Sequence, residues 1–202
     1  MKNRFLSRIV SAITVIAVVV FVWTLGTALF FMPTGEVDSP WLAARAPAAR
    51  AESTALPERL VIPSINVDAA VQQVGIKGDG SMATPSSFAD VGWYKYGTIP
   101  GQVGSAVIAG HVDNALSLAG VFKKLEEVKI GDDIYIEQKD GSRIHFRVVD
   151  IQSFPYNEAP SELIFNRDDA ARLNLITCSG DWLKKDQTYD TRLVIFTKLI
   201  PQ

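Results

Sequence analysis

Apolar positions are distributed in two different ways along this chain. From Ile9 to Met32 no charged side chain occurs, and Val, Ile, Ala and Phe dominate without amphipathic alternation. At about 1.5 Å rise per residue this stretch reaches roughly 36 Å as a helix, enough to cross a hydrocarbon core of about 30 Å with some tilt. From Arg59 onward the apolar residues instead come in short runs between Gly, Pro, Asp and Asn, the pattern of a compact β domain. The runs predict strands over Arg59–Ile62, Ala69–Val74, Ser105–Val112, Asp133–Gln138, Arg143–Phe154, Leu173–Cys178 and Arg192–Leu199. Lys139-Asp140-Gly141-Ser142 between two of them is a hairpin signal, because Asp-Gly accepts positive φ.

Several runs, notably Ala106-Val107-Ile108 and Val194-Ile195-Phe196, are apolar at every position, so both faces of those strands must be covered. A sheet curled on itself, with short helices and loops outside it, satisfies that demand, and a closed β-barrel is the expected fold. One helix is predicted where Leu118, Val121, Phe122, Leu125 and Val128 recur near 3.6 spacing, with Lys123, Lys124, Glu126 and Glu127 turned to water. Asp168–Arg172 is expected to add a short helical turn.

The flanks of the first stretch orient it. Lys2, Arg4 and Arg8 precede it and Glu36 and Asp38 follow, so residues 1–8 are expected in the cytoplasm and the remainder outside. Small-residue sites at Ala46-Pro47-Ala48 and Ala49-Arg50-Ala51 lie well beyond the apolar run. That run also exceeds the usual ~7–15 residues of a signal core, so an uncleaved anchor over residues 9–32 is favoured over a cleaved leader. Residues 33–56, with Pro33, Pro40 and Pro47 and no hydrophobic period, read as a flexible spacer. Residues 57–202 form the expected extracytoplasmic domain, large enough for its own core. The net charge of −2 offers no basic field, which argues against nucleic acid as a partner.

Chemistry-bearing residues are few. The chain has one cysteine, Cys178, so no internal disulfide can form, and the thiol is incidental, intermolecular or chemically used. Cys178 closes one predicted strand, Arg192 opens another, and Ser105–Ala109 delivers Gly110-His111. A thiol, an imidazole and a guanidinium at strand ends form a kit for acyl transfer through a thioester. The competing reading is a buried, inert cysteine beside a surface arginine. Were the two strands antiparallel neighbours, Ser179–Thr191 would form a surface loop over their common edge, with Trp182 exposed in it. His145 shares a strand face with Arg147 and reads as a solvent-facing residue. With two histidines and one cysteine a His/Cys metal site is poorly supplied, and neither metal nor cofactor is expected. Gly75-Ile76-Lys77-Gly78-Asp79-Gly80 lacks the Lys-Ser/Thr continuation and the following helix of a phosphate loop.

Taken together, Gly110-His111, Leu175-Ile176-Thr177-Cys178 and Arg192 in this order resemble a sortase. The segments Ile62-Pro63-Ser64-Ile65-Asn66-Val67-Asp68-Ala69 and Val91-Gly92-Trp93-Tyr94, continuing through Pro100-Gly101 to His111-Val112-Asp113, are most similar to actinobacterial sortases of the class F-like kind. The resemblance spans about Leu60 to Leu199. It implies an eight-stranded barrel and a membrane-anchored cysteine transpeptidase that cuts a Leu-Pro-x-Thr-Gly-like sorting signal between Thr and Gly. An amine of a cell-wall precursor or a pilin lysine would then take the acyl group. By the same resemblance Cys178 is the nucleophile, His111 the general acid/base, Arg192 the oxyanion or substrate-orienting group, and Thr177 a contributor to substrate binding. A thiol hydrolase of exported proteins and a non-catalytic tethered binding module are the alternatives.

Overall fold

The computed structural model describes residues 13–26, 36–37, 55–114 and 118–201. The chain divides into two units, Met1–Met32 and Pro33–Gln202. In the first, an α-helix (α1) covers residues 13–26, with its large apolar side chains from Ile13 to Leu25 exposed. The rest of the predicted span lies outside the described residues. Among the described residues no helix is long and apolar enough to cross a membrane.

The second unit is a closed barrel. Among the described residues ten strands occur in chain order: β1 Glu36–Val37, β2 Pro57–Ile62, β3 Val67–Val74, β4 Ile76–Lys77, β5 Val91–Tyr94, β6 Gly104–Gly110, β7 Asp133–Gln138, β8 Arg143–Pro155, β9 Ala171–Leu183 and β10 Thr188–Leu199. Eight of them close in the order β10-β8-β7-β2-β3-β5-β6-β9, while β1 and β4 make a separate two-stranded pair. Glu36–Val37, inside the predicted spacer, thus pairs with Ile76–Lys77. Most neighbours are antiparallel, but β3–β5 and β6–β9 are parallel.

Alternation along these strands explains why their sequences are apolar throughout. Ala106, Ile108, Leu173, Leu175, Leu193 and Ile195 point into the barrel, where Leu60, Trp93, Ile136 and Phe146 join them. Val107, Ile176, Val194 and Phe196 point outward and form a second apolar layer with Ile164, Leu163 and Phe165. The last three belong to a short helix, α2 (Ser161–Phe165), which follows Pro160. Burying a side chain of this size contributes about 1.5–3 kcal/mol, so covering the outside of β6, β9 and β10 matters as much as filling the barrel.

Several expectations are corrected. Residues 118–128 do not form a helix: they make successive tight turns, with Leu125–Glu127 a single 3-10 turn. Bonds from Lys123 N to Gly120 O and from Leu125 N to Phe122 O bring Phe122, Leu125 and Val128 inside at every third residue, which mimics a helical period. Asp168–Arg172 is no helical turn either, since β9 begins at Ala171 and the helix lies earlier, at α2. Val91–Tyr94 is a strand that its two glycine-flanked aromatics concealed. His145 is half-buried rather than solvent-facing, paired to Asp133 at 2.8 Å and stacked on Tyr135.

The largest correction concerns Ser179–Thr191. Both strands run on past Cys178 and before Arg192, pairing Trp182 with Tyr189 and Leu183 with Thr188, so a long hairpin replaces the surface loop. Trp182 is exposed, but on a strand. Between the rungs Ser179↔Thr191 and Trp182↔Tyr189, β9 carries Gly180 and Asp181 against the single Asp190 of β10, a β-bulge. Gly180 sits at φ +80°, and a Cβ there would lie 2.1 Å from Asp190 Oδ1. That oxygen is already held by Asp181 N and the Thr191 hydroxyl. Gly180→Ala is therefore expected to destabilise the domain by about 1–3 kcal/mol, read as a lowered Tm in thermal unfolding; an unchanged Tm would show the bulge to be slack.

Candidate active site

Three adjacent strands assemble the site. In the antiparallel β9–β10 ladder Cys178 is directly opposite Arg192. Such partners have their Cβ atoms about 4.5–5.5 Å apart and point to the same face. On the other side of β9, the parallel register with β6 pairs Ala109 with Ile176. The Thr177 hydroxyl donates to Gly110 O at 2.8 Å, and the next residue of each strand is His111 and Cys178. Alternation places Ala109, Ile176 and Val194 outward, so His111, Cys178 and Arg192 continue that outer face at one rim of the barrel. The three residues predicted from strand ends thus lie on neighbouring strands at one rim, with Cys178 and Arg192 directly opposite each other.

Each is held by its surroundings. The His111 ring packs on Phe88 with centroids 4.5 Å apart, and its Nε2 donates to Pro85 O at 3.0 Å. A carbonyl only accepts, so the neutral ring carries its proton on Nε2 and leaves the lone pair on Nδ1. Its backbone is pinned by Phe122 N donating to His111 O at 2.9 Å. There is no room beside this segment: a Cβ on Gly110 would meet the Phe122 ring at 2.5 Å, and one on Gly120 would meet His111 O at 2.3 Å. Arg192 donates from Nη1 to the carbonyls of Tyr189 and Thr191, both at 3.0 Å, and from Nη2 to the Thr188 hydroxyl at 2.8 Å. Its guanidinium lies 5.7 Å from the centre of the Tyr156 ring.

Thr177 behaves differently from its three companions. The resemblance implies substrate binding, whereas the side chain is buried on the opposite face of β9 from Cys178, with its hydroxyl spent on Gly110. What it does in this geometry is tie the end of β6 to β9, fixing His111 beside the cysteine.

Burial sets the electrostatics. It pushes the Cys178 thiol above its ordinary 9.0; Arg192 and Lys77 pull it back part of the way, while Asp113 adds to the rise. Burial likewise holds His111 below its ordinary 6.5, with the Pro85 carbonyl opposing and Lys77 reinforcing that shift. The resting pair is thiol and neutral imidazole. Asp113 accepts a hydrogen bond from the Tyr189 hydroxyl and lies 3.6 Å from Lys123 Nζ. Burial, together with its hydrogen bond to Asp113 and that carboxylate's charge, pushes the Tyr189 phenol up to about 12. Sequence reasoning missed Pro85, Phe88, Lys77 and Tyr189, none of which belongs to a motif or a period.

Two hollows, of about 160 and 410 Å³, lie elsewhere and include none of these three residues. The smaller is lined by Phe196 and Lys198 of β10 and the larger by Ile144 and Leu199.

No curated protein sequence matches the chain. Its fold is similar to that of solved structures. Sortase C-1 from Actinomyces oris has a TM-score of 0.62 at 22% identity, covering 86% of this chain and 88% of that one. Sortase A from Corynebacterium diphtheriae, a lid mutant, has a TM-score of 0.60 at 20% identity, over 87% and 88% of the two chains. Sortase C1 from Streptococcus agalactiae, in complex with MTSET, has a TM-score of 0.57 at 22% identity, over 82% and 80%. The sortase domain model matches residues 60–200, nearly the whole barrel and all three strands of the rim, and the chain therefore belongs to the sortase family of cysteine transpeptidases.

Proposed function

We propose that the protein is a membrane-anchored sortase, of the class F-like kind, that cleaves a Leu-Pro-x-Thr-Gly-like signal between Thr and Gly and passes the acyl group to an amine. The observation that carries this reading is the cross-strand pair Cys178–Arg192 with His111 at the end of the adjoining strand. The apolar stretch 9–32 would serve as the anchor, with the amino terminus cytoplasmic and the barrel outside, near secreted substrates and a cell-wall or pilin amine. The class reading is supported by the Ile62–Ala69 and Val91–Tyr94 segments.

In this mechanism the Cys178 proton passes to His111 and the sulfur attacks the threonyl carbonyl. Negative charge gathers on the carbonyl oxygen, where Arg192 offers a fixed cation. Collapse breaks the Thr–Gly bond, and His111 gives its proton to the departing glycine amine, otherwise a poor leaving group. The thioester is then attacked by the incoming amine, which gives a proton to His111 as the thiolate departs, and His111 passes that proton to the sulfur to restore the thiol. Because the neutral forms dominate at rest, the thiolate–imidazolium pair is a minor population that forms as the reaction starts.

Cys178→Ala is expected to abolish acyl-enzyme formation with a Leu-Pro-x-Thr-Gly peptide by mass spectrometry, and normal turnover in that variant ends the proposal. Product analysis with and without an amine acceptor separates transfer from hydrolysis: acceptor that never enters product makes the protein a thiol hydrolase. Arg192→Lys should lower kcat by about 100-fold, because a point charge cannot reproduce a planar fork held by three hydrogen bonds. A rate within a few-fold of the parent would remove Arg192 from the oxyanion role. With His111 below 6.5 and Cys178 above 9.0, kcat/KM should be bell-shaped with a broad top between those limits. Alkylation of Cys178 by iodoacetamide should keep rising beyond pH 9; a plateau already reached by pH 7 would contradict the neutral resting pair.

A further inference from the structure

Tyr189 touches the surroundings of all three rim residues at once. Its hydroxyl lies 2.7 Å from both Asp113 oxygens, two positions beyond His111. Its carbonyl accepts from Arg192 Nη1 at 3.0 Å. Its ring meets Trp182 edge-on at 5.3 Å, and the two are a cross-strand rung just past Cys178 and the Gly180 bulge. The Asp113 side chain is only 12% exposed, in a segment that leaves β6 and pairs with residues 118–122 on one side, through Asn114 N to Leu118 O at 3.1 Å and Gly120 N to Val112 O at 2.9 Å. A carboxylate so enclosed needs its hydrogen bonds, and a phenol donating to it is a charge-assisted bond.

This side-chain hydrogen bond joins the His111 segment to the β9–β10 hairpin, as does the Thr177–Gly110 bond beneath it. Residues 118–122 and the Pro85 carbonyl hold this segment from one side; the Asp113–Tyr189 bond fixes its position against the strand that carries Arg192. We propose that Tyr189 is a positioning residue that locks the His111-bearing segment to the Arg192-bearing strand across Cys178, through Asp113. The proposal rests on the transpeptidase reading above. It separates the duties of the rim: Cys178, His111 and Arg192 meet the substrate, while Tyr189 and Asp113 keep imidazole and guanidinium in register with the sulfur. Misplacement of a catalytic group by even about 1 Å slows chemistry far more than it weakens substrate binding.

The test uses the full chain and a Leu-Pro-x-Thr-Gly peptide with an amine acceptor. Tyr189→Phe removes the donor and keeps the ring on Trp182; Asp113→Ala removes the acceptor; Asp113→Asn keeps an acceptor oxygen. The first two should each lower kcat about tenfold or more, with KM within about twofold. Their combination should fall no further than either alone, and Asp113→Asn should recover most of the rate. Iodoacetamide labelling of Cys178, which needs no peptide, should stay near the parent rate in Tyr189→Phe and should not fall in the Asp113 variants, where loss of the carboxylate charge favours the thiolate. Lys123→Met, which removes only the ion pair to Asp113, should leave kcat within about twofold. A parental kcat in Tyr189→Phe, losses that multiply in the double variant, or labelling that falls in step with kcat would each overturn the lock. A parent protein that labels with iodoacetamide yet forms no acyl-enzyme overturns the transfer reading, and the lock with it.

Discussion

Everything at the rim depends on the register of one strand. β9 is paired on both sides, antiparallel to β10 and parallel to β6, and a slip of one residue on either side would turn Cys178 away from its partners. The register is enforced by burial on two faces. Leu173 and Leu175 fit only the barrel interior, and Ile176 only the outer layer under α2. Site geometry is thus a by-product of core packing, and no side chain at the rim has to supply the energy that brings it there.

The barrel was legible in the chain because its strands betray themselves twice, by short apolar runs and by being apolar on both faces. The convergence of Cys178, His111 and Arg192 was legible for a related reason: each terminates or opens such a run. What failed was local. Phe122, Leu125 and Val128 have the spacing of a helix, yet consecutive i to i+3 turns bury the same positions, and a period in sequence cannot distinguish the two. The continuation of β9 and β10 past Cys178 and Arg192 was hidden because Ser179-Gly180-Asp181 reads as loop chemistry. A bulge uses the same residues, and only the Trp182–Tyr189 rung beyond it reveals the ladder.

The contacts around His111 were illegible for a deeper reason. Pro85 and Phe88 lie more than twenty residues upstream in a segment without regular structure, and they act through a carbonyl oxygen and a ring face. Neither a backbone carbonyl nor an aromatic face leaves a signature in composition. The Pro85 carbonyl selects the imidazole tautomer, so a feature invisible in the sequence decides which ring nitrogen carries the lone pair.

Keeping the sulfur protonated has a consequence beyond catalysis. Peroxides and electrophiles attack the anion, and a sulfhydryl held above its ordinary pKa by burial presents little of it. With one cysteine in the chain there is no second thiol to rescue a sulfenic acid as an internal disulfide. The desolvation that keeps this thiol protonated thus also shields it from oxidants.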